Sequence, residues 1–253
     1  MNRNRRVLSA FEITLVCASY LFSLWCLGPN VQALWARVAF YVLVAAGALH
    51  ILWISPFVLH KDTQEKRGRA GSYRTRTRAW LRPYGALTLA GAIVLIAIAL
   101  VRDPHVFQRV VWRSVVVRFA TYIPSAIIQA VFVFSFLMTR IRDVLDHAPA
   151  LGAPVSVARR FSVVLATASL FTALHVPNTP LMAFAFVAGL GWAWLFYTRP
   201  SVLLLALSHA TLGTILHRFV ELHTKIGPFF GHPEMRFTRI LIPGAKELIG
   251  NLY

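Results

Sequence analysis

Charged residues are scarce in this sequence, and acidic residues are scarcer still. Only 14% of the 253 residues are charged, whereas soluble domains carry about 25%. The chain is 57% hydrophobic and has a mean hydropathy of +0.62. This balance excludes an ordinary soluble domain, because the apolar excess is gathered in runs of about 20 residues, the length that crosses a bilayer as a helix.

Cysteine is also scarce, and no internal repeat is visible. The two cysteines, Cys17 and Cys26, both lie in the first apolar run and fit neither a disulfide framework nor a metal-binding spacing. A transporter has no support, since the chain lacks inverted repeats and paired charged spans. The class that remains is an all-α protein, a polytopic bundle of transmembrane helices.

Among the charged residues, basic ones dominate: 26 lysines and arginines stand against 9 acidic residues, a formal net charge of +17. Such a charge can indicate nucleic-acid binding, but no nucleic-acid-binding motif accompanies it. The basic residues lie between the apolar runs, where the positive-inside rule and anionic headgroups favour them. We therefore expect membrane lipids as partners and no nucleic acid.

Seven apolar runs predict about seven spans. The runs lie roughly at 9–27, 33–59, 83–101, 115–138, 161–175, 181–197 and 201–217. They suggest three regions: N-terminal transmembrane helices (1–114), a core of four spans (115–217) and a polar or interfacial tail (218–253), whose last part, 237–253, is predicted to lie in the interface.

The segment 61–82, between the second and third runs, is the most basic loop and is predicted to be cytoplasmic, together with the N-terminus. The first run is too long for a signal peptide and lacks a cleavage site of small residues, so we expect a retained span. Compact spans and short loops favour a multi-pass protein of a bacterial inner membrane. The side of the membrane on which the tail lies stays open. Counting spans puts the tail outside, whereas its basic residues favour the cytoplasm.

Ionisable side chains inside predicted spans are candidate sites, because hydrocarbon makes them costly. They are Glu12, His50, Arg118, His175 and His209. Glu12 is predicted to lie at headgroup level, Arg118 to extend its side chain to the interface, and His50 to be structural. The other two histidines stand apart, because they fall in one ordered pattern.

That pattern begins with Phe171 and His175, four residues apart on one face of a helix. Three further elements follow in order: Val176-Pro177-Asn178, then Gly189-Leu190-Gly191-Trp192, then Ser208-His209 with Gly213. The pattern resembles the CPBP family, the CAAX-processing and bacteriocin-processing (Abi-type) intramembrane peptidases. In that family FxxxH, a glycine-rich span and HxxxN follow one another, and the resemblance covers roughly 121–216.

The resemblance implies a CPBP-like core in the C-terminal half, with His175 and His209 as catalytic residues. It also implies binding roles for the matched positions Phe171, Asn178, Ser208 and Gly213. In the family a glutamate of an EExxxR motif activates water, while histidines and an asparagine polarise the peptide carbonyl.

This chain departs from the family at its first motif. Gln129 and Ala130 stand where the two glutamates belong, and Phe134 stands where the arginine belongs. Gly213 replaces the asparagine of HxxxN. An amide cannot accept a proton at working pH, so the family mechanism lacks its base here. Loss of both charges at once can be nearly neutral for folding, because a buried ion pair can be replaced by apolar groups.

Two hypotheses follow. The sequence favours a non-catalytic scaffold, a pseudoenzyme that binds a membrane-bound polypeptide, another membrane protein or a lipid, with no cofactor. The alternative is an active endopeptidase that uses His175 and His209 with an unidentified base, with Gln129 as a doubtful participant. In the tail, His217, Glu221 and His223 suggest a zinc site as a weaker alternative to a polar interfacial segment.

Overall fold

The computed structural model of the chain describes residues 3–30, 33–67, 73–145 and 156–230. Throughout these ranges the chain forms helices and turns and contains no strand. The all-α class expected from the apolar runs is therefore confirmed. The interfacial segment expected at 237–253 lies outside the described residues.

Nine α-helices occupy the described ranges. In chain order they are α1 (Arg3–Phe22), α2 (Leu34–Arg67), α3 (Tyr73–Arg102), α4 (Val106–Arg109), α5 (Trp112–Gln129), α6 (Met138–Leu145), α7 (Val157–Ala173), α8 (Thr179–Thr198) and α9 (Val202–Arg218). A π-helical segment, Ala130–Leu137, joins α5 to α6 without a break. α1 likewise continues through a π-helical turn, Ser23–Leu27, and the 3-10 turn Gly28–Asn30. A last 3-10 turn is Gly227–Phe229.

Five helical segments are long and apolar enough to cross a membrane. They are Arg6–Asn30, Leu34–Ile51, Ala79–Arg102, Trp112–Leu145 and Thr179–Thr198. The remaining two expected spans correspond to α7 and α9, which have 17 residues each. At 1.5 Å per residue such a helix is only about 25 Å long. Five spans are thus supported by length, and a count of seven stays a prediction.

Two expected loops are shorter than the sequence suggested. α2 continues to Arg67 and α3 begins at Tyr73, so much of the basic segment 61–82 is helical. The connection between the fourth and fifth apolar runs (115–138 and 161–175) also begins with helix, because α6 runs to Leu145. Arg140 and Asp143 on this helix are buried, and their charges are accommodated by contacts with other helices.

The C-terminal helices form a tightly packed group. α8 packs along α7, and α9 lies against both α5 and α3. The first of these contacts is close because Gly189 lacks a side chain: a Cβ there would lie 3.2 Å from the Phe171 ring. The packing brings the end of α7, the middle of α9 and the π-helical segment together.

Ser208 on α9 links three helices by hydrogen bonds. The Trp192 indole N–H on α8 donates to its hydroxyl at 2.9 Å, and the Thr88 hydroxyl on α3 lies 2.7 Å from it. The Thr88 hydroxyl is also 2.7 Å from the Tyr84 carbonyl oxygen. All of these groups can be satisfied in one chain of hydrogen bonds, which we call the relay. The Trp192 N–H donates to Ser208, the Ser208 hydroxyl donates to Thr88, and the Thr88 hydroxyl donates to the Tyr84 carbonyl.

Ser208→Ala should destabilise the bundle by about 1–3 kcal/mol, because the buried Trp192 indole N–H loses its acceptor. Denaturation of the purified chain in detergent micelles measures this loss. Ser162→Ala is the matched control, since Ser162 is exposed and its hydroxyl donates only to the carbonyl of its own helix at Ala158. Equal stability of the two variants would contradict the relay.

Candidate functional site

The two histidines of the sequence pattern meet around one aromatic ring. The Phe171 ring centroid lies 4.8 Å from that of His175 and 5.8 Å from that of His209, with both imidazoles edge-on to it. The Trp192 ring lies 4.7 Å from the His209 ring. We call the following residues the histidine cluster: Tyr122, Phe171, His175, Trp192 and His209.

His209 is almost completely enclosed, with 4% of its surface exposed. Its Nε2 atom lies 3.3 Å from the Tyr122 hydroxyl. Its Nδ1 atom is buried and has no hydrogen-bond partner among the described residues. An unmatched buried nitrogen costs about 1–3 kcal/mol, so Nδ1 is an atom at which an added polar group would be stabilising.

In His175, in contrast to His209, the Nδ1 atom has a hydrogen-bond partner. Its Nδ1 atom lies 2.7 Å from the Phe171 carbonyl oxygen one turn earlier. A carbonyl can only accept, so Nδ1 carries the proton in this contact. In the neutral ring Nε2 is then the acceptor. The half-buried position of His175 makes it the more accessible of the two histidines.

Gln129 extends the polar part of the cluster onto α5. Its side-chain amide donates to the Ser125 hydroxyl at 3.1 Å and lies beside the Tyr122 hydroxyl. A polar line therefore runs from Gln129 through Tyr122 to His209. In the part of the chain that the structure describes, the groups along it are amide, phenol, hydroxyl and imidazole, and no carboxylate contacts them.

The positions of the missing charges are filled by buried apolar side chains. Ala130 and Phe134 both have no exposed surface. The Phe134 ring lies 5.5 Å from Phe171, 6.4 Å from Phe196 and 6.5 Å from Trp192. An aromatic ring enclosed by three others thus occupies the place where the resemblance would put an arginine.

Gly213 is required by the approach of Tyr122. A Cβ at Gly213 would lie 2.3 Å from the Tyr122 ring atom Cε1, far inside van der Waals contact. The Tyr122 ring therefore fills the space next to α9 where a side chain at this position would project. Its hydroxyl reaches His209, one helical turn earlier. Sequence reasoning missed Tyr122, because nothing in an apolar run marks one tyrosine as a partner of a distant glycine.

Asn178 uses its amide for contacts within the chain. It is 1% exposed, and its side-chain oxygen accepts from the Leu181 N–H at 3.2 Å, which caps α8. Its two amide protons are donated to the His223 and Lys225 carbonyls at 2.6 and 3.0 Å. Asn178 thus fastens the segment after α9 to the start of α8. Like Ser208, it holds helices together, although the resemblance implies a binding role.

The tail residues considered for zinc do not form a ligand set. Within the described ranges, no group of three histidine, cysteine or acidic side chains could hold a metal ion. His217 Nδ1 lies 3.4 Å from the Leu222 carbonyl. Glu221 lies towards Arg109, at 4.0 Å.

A buried ion pair lies elsewhere in the bundle and was not expected. Glu12 Oε2 is 2.5 Å from Arg140 Nε, and His50 Nε2 is 3.5 Å from Glu12 Oε1. Arg140 Nη1 is also 3.6 Å from the Asp143 carboxylate. Glu12 is 5% exposed and paired, so its carboxylate is held inside the bundle. Its position at headgroup level stays a prediction. The signal was available, since Arg140 adjoins the fourth apolar run and offers the complementary charge.

Comparison with known proteins found no family model, no curated protein and no solved structure that matches this chain. The resemblance to the CPBP family therefore rests on the motif residues alone. The geometry adds that three of them, His175, Trp192 and His209, lie together in space around Phe171.

Gly213→Ala should destabilise the chain by about 1–3 kcal/mol, because the added methyl displaces the Tyr122 ring from a packed contact. Gly85→Ala on α3 is the control, since a Cβ there meets nothing within 4 Å. That control should be neutral or stabilising by about 0.5–1 kcal/mol. Denaturation in micelles compares the two, and effects of the same sign and size would refute the close approach.

Glu12→Leu or Arg140→Met alone should each cost about 3–5 kcal/mol, because either change leaves a buried charge without its nearest counter-ion. The double variant should cost less than the sum of the two, since both changes remove the same pair. A double-mutant cycle of unfolding free energies measures this coupling. Additive losses would show that the ion pair does not hold α1 to α6.

Proposed function

We propose that this chain is a non-catalytic membrane protein with a CPBP-like core, a pseudoenzyme scaffold that binds another membrane protein or a membrane-bound polypeptide. One observation carries the proposal. Ala130 and Phe134, at the positions of a family glutamate and arginine, are completely buried, and Phe134 packs against the ring that the two histidines share. Apolar side chains therefore fill the positions at which peptide hydrolysis of the family type would need charged ones.

Peptide hydrolysis by water needs a proton acceptor within about 2.6–3.2 Å of the water or through one further water. The groups that contact the two histidines are a phenol, an indole ring, a phenylalanine ring and a backbone carbonyl. Gln129 offers an amide, which cannot accept a proton. Glu12 on α1 is paired with Arg140 on α6. These contacts support binding over hydrolysis.

The cluster suits recognition of a polar group on an otherwise apolar segment. His209 Nδ1 lacks a partner in the described chain, and His175 Nε2 is left as an acceptor when Nδ1 donates to Phe171. Aromatic rings surround both atoms. A hydroxyl or backbone N–H of a partner helix, brought to this point, would gain a hydrogen bond in surroundings of low polarity.

For the membrane arrangement we propose seven spans, with α7 and α9 as short ones and α9 enclosed by longer neighbours. α9 packs against α3 and α5, which belong to segments long enough to cross a bilayer. A helix surrounded by protein can be shorter than one that faces lipid, because its ends lie in polar protein contacts. The N-terminus and the basic segment 61–82 are proposed to be cytoplasmic, in a bacterial inner membrane.

The alternative function is an intramembrane endopeptidase with an unidentified base. Its specific support is that the two histidines, far apart in sequence, flank the same Phe171 ring. A pair of imidazoles at one place is compatible with polarisation of a carbonyl, so the two functions need a direct comparison.

The test compares membranes that contain the native chain or the His175→Ala, His209→Ala variant at equal levels. Mass spectrometry compares the termini of all membrane proteins, and a photo-reactive side chain at Val176, which is 38% exposed, traps neighbours of the cluster. We expect unchanged termini and loss of a specific adduct, because the histidines hold a partner and cleave nothing. His105→Ala with His223→Ala is the control, since both of these histidines are exposed.

Two outcomes would overturn the proposal. Specific cleavage products that vanish only in the His175→Ala, His209→Ala variant would identify a peptidase. An unchanged adduct in that variant, with a folded chain, would remove the histidine cluster from partner binding.

A further inference from the structure

A second polar site lies at the end of the bundle where α3 and α9 end and α5 begins. A cleft of about 180 Å³ opens there, and its polar lining consists of Arg109, Ser114, Arg218 and Glu221. None of these residues belongs to the histidine cluster. Ligand binding at this cleft therefore does not depend on the proposed scaffold function.

Arg218 is the residue that makes this cleft unusual. Its Nε and Nη2 atoms are buried and have no hydrogen-bond partner among the residues that the structure describes. A guanidinium removed from water without acceptors is costly, and arginine is well suited to phosphate because its planar fork can donate two parallel hydrogen bonds. At the end of α9, the Arg218 guanidinium therefore has two N–H groups without an acceptor in the part of the chain that the structure describes.

Arg109 is a second cation on the same cleft, and it is already held in position. Its side chain donates two hydrogen bonds to one oxygen of Asp103. The pKa of Asp103 is lowered, chiefly by a hydrogen bond from the His105 backbone N–H and next by the Arg109 side chain. Asp103 therefore stays ionised near neutral pH and keeps Arg109 at the rim.

The lining favours an anion, although it also contains a carboxylate. Arg109 is paired with Asp103 outside the lining, so Arg218 is the cation of the cleft that has no partner in the described chain. The carboxylate in the lining is Glu221, whose side chain is 62% exposed and 4.0 Å from Arg109 at its nearest. Glu221 can therefore turn towards water. Ser114 contributes little, because its hydroxyl already donates to the Val111 carbonyl at 2.7 Å. The two arginines would carry the binding.

The surroundings indicate that the anion comes from a lipid. Phe107, Trp112 and Phe219 stack together with centroid separations from 5.6 to 6.4 Å, and Phe107 and Trp112 are 42% and 57% exposed. Exposed aromatic side chains of this kind are typical of the headgroup level. One apolar segment long enough to cross a membrane ends at Arg102 and the next begins at Trp112, which puts the cleft at the same level.

We propose that this cleft binds the phosphate of an anionic phospholipid, with Arg218 and Arg109 on the phosphate oxygens and the exposed aromatic rings beside the glycerol. The shared chemistry is phosphate recognition, and the position at the end of two apolar segments assigns the phosphate to a lipid. A net negative headgroup is preferred over a zwitterionic one, because the latter brings its own cation to a basic cleft.

The test uses the full chain purified in a mild detergent. Native mass spectrometry follows the retention of added phosphatidylglycerol, with phosphatidylcholine as the zwitterionic comparison and inorganic phosphate as a competitor. We expect phosphatidylglycerol to be retained preferentially, and Arg218→Gln to weaken it about tenfold, the usual scale of one lost charged hydrogen bond. Arg113→Gln is the matched control, since Arg113 is exposed and does not line the cleft.

Glu221→Gln gives a second and opposite measurement. It removes the competing carboxylate, so binding should become several-fold tighter, and this holds even if Arg218→Gln fails to fold. Equal retention by the native chain and Arg218→Gln would overturn the proposal, as would equal retention of the two lipids. Displacement of the lipid by millimolar inorganic phosphate would assign the cleft to a soluble phosphate compound and would overturn the lipid assignment.

Discussion

The Tyr122 ring lies directly against the backbone of α9 at Gly213, and the centre of the bundle is organised around this contact. Because Gly213 has no side chain, the ring approaches closely enough for its hydroxyl to reach His209 one turn away. His209 in turn packs on Trp192 and Phe171. One missing Cβ thus positions the buried histidine and the aromatic rings around it.

Several polar side chains in this apolar bundle are satisfied by partners on other helices. Ser208 connects to Trp192 and Thr88, and Glu12 pairs with Arg140. His209 in the histidine cluster and Arg218 at the cleft are different, because each has a buried nitrogen without a hydrogen-bond partner in the described chain and lies beside further polar groups. Since unmatched buried nitrogens are costly, these are the places where a ligand would add most to stability.

The sequence predicted the helices and the meeting of His175 with His209, because apolar runs and spaced motifs are local or ordered patterns. It did not predict α6 beyond Met138 or the ion pair of Glu12 with Arg140, since both depend on contacts between distant helices. The contact of Tyr122 with His209 was not predicted for the same reason, since the two residues are 87 positions apart in the sequence. The count of seven spans stays a prediction, because α7 and α9 have 17 residues each and helix length alone does not decide whether they cross a membrane.

The packed centre bears on whether a few substitutions could give this chain a hydrolytic site. An arginine at position 134 would have to displace a completely buried ring that contacts Phe171, and would do so without a carboxylate beside it. An asparagine at position 213 would collide with Tyr122, whose hydroxyl now holds His209. Each introduced group would remove an existing stabilising contact before any catalysis was gained. A centre that resists the introduction of charge in this way favours a protein that acts by binding.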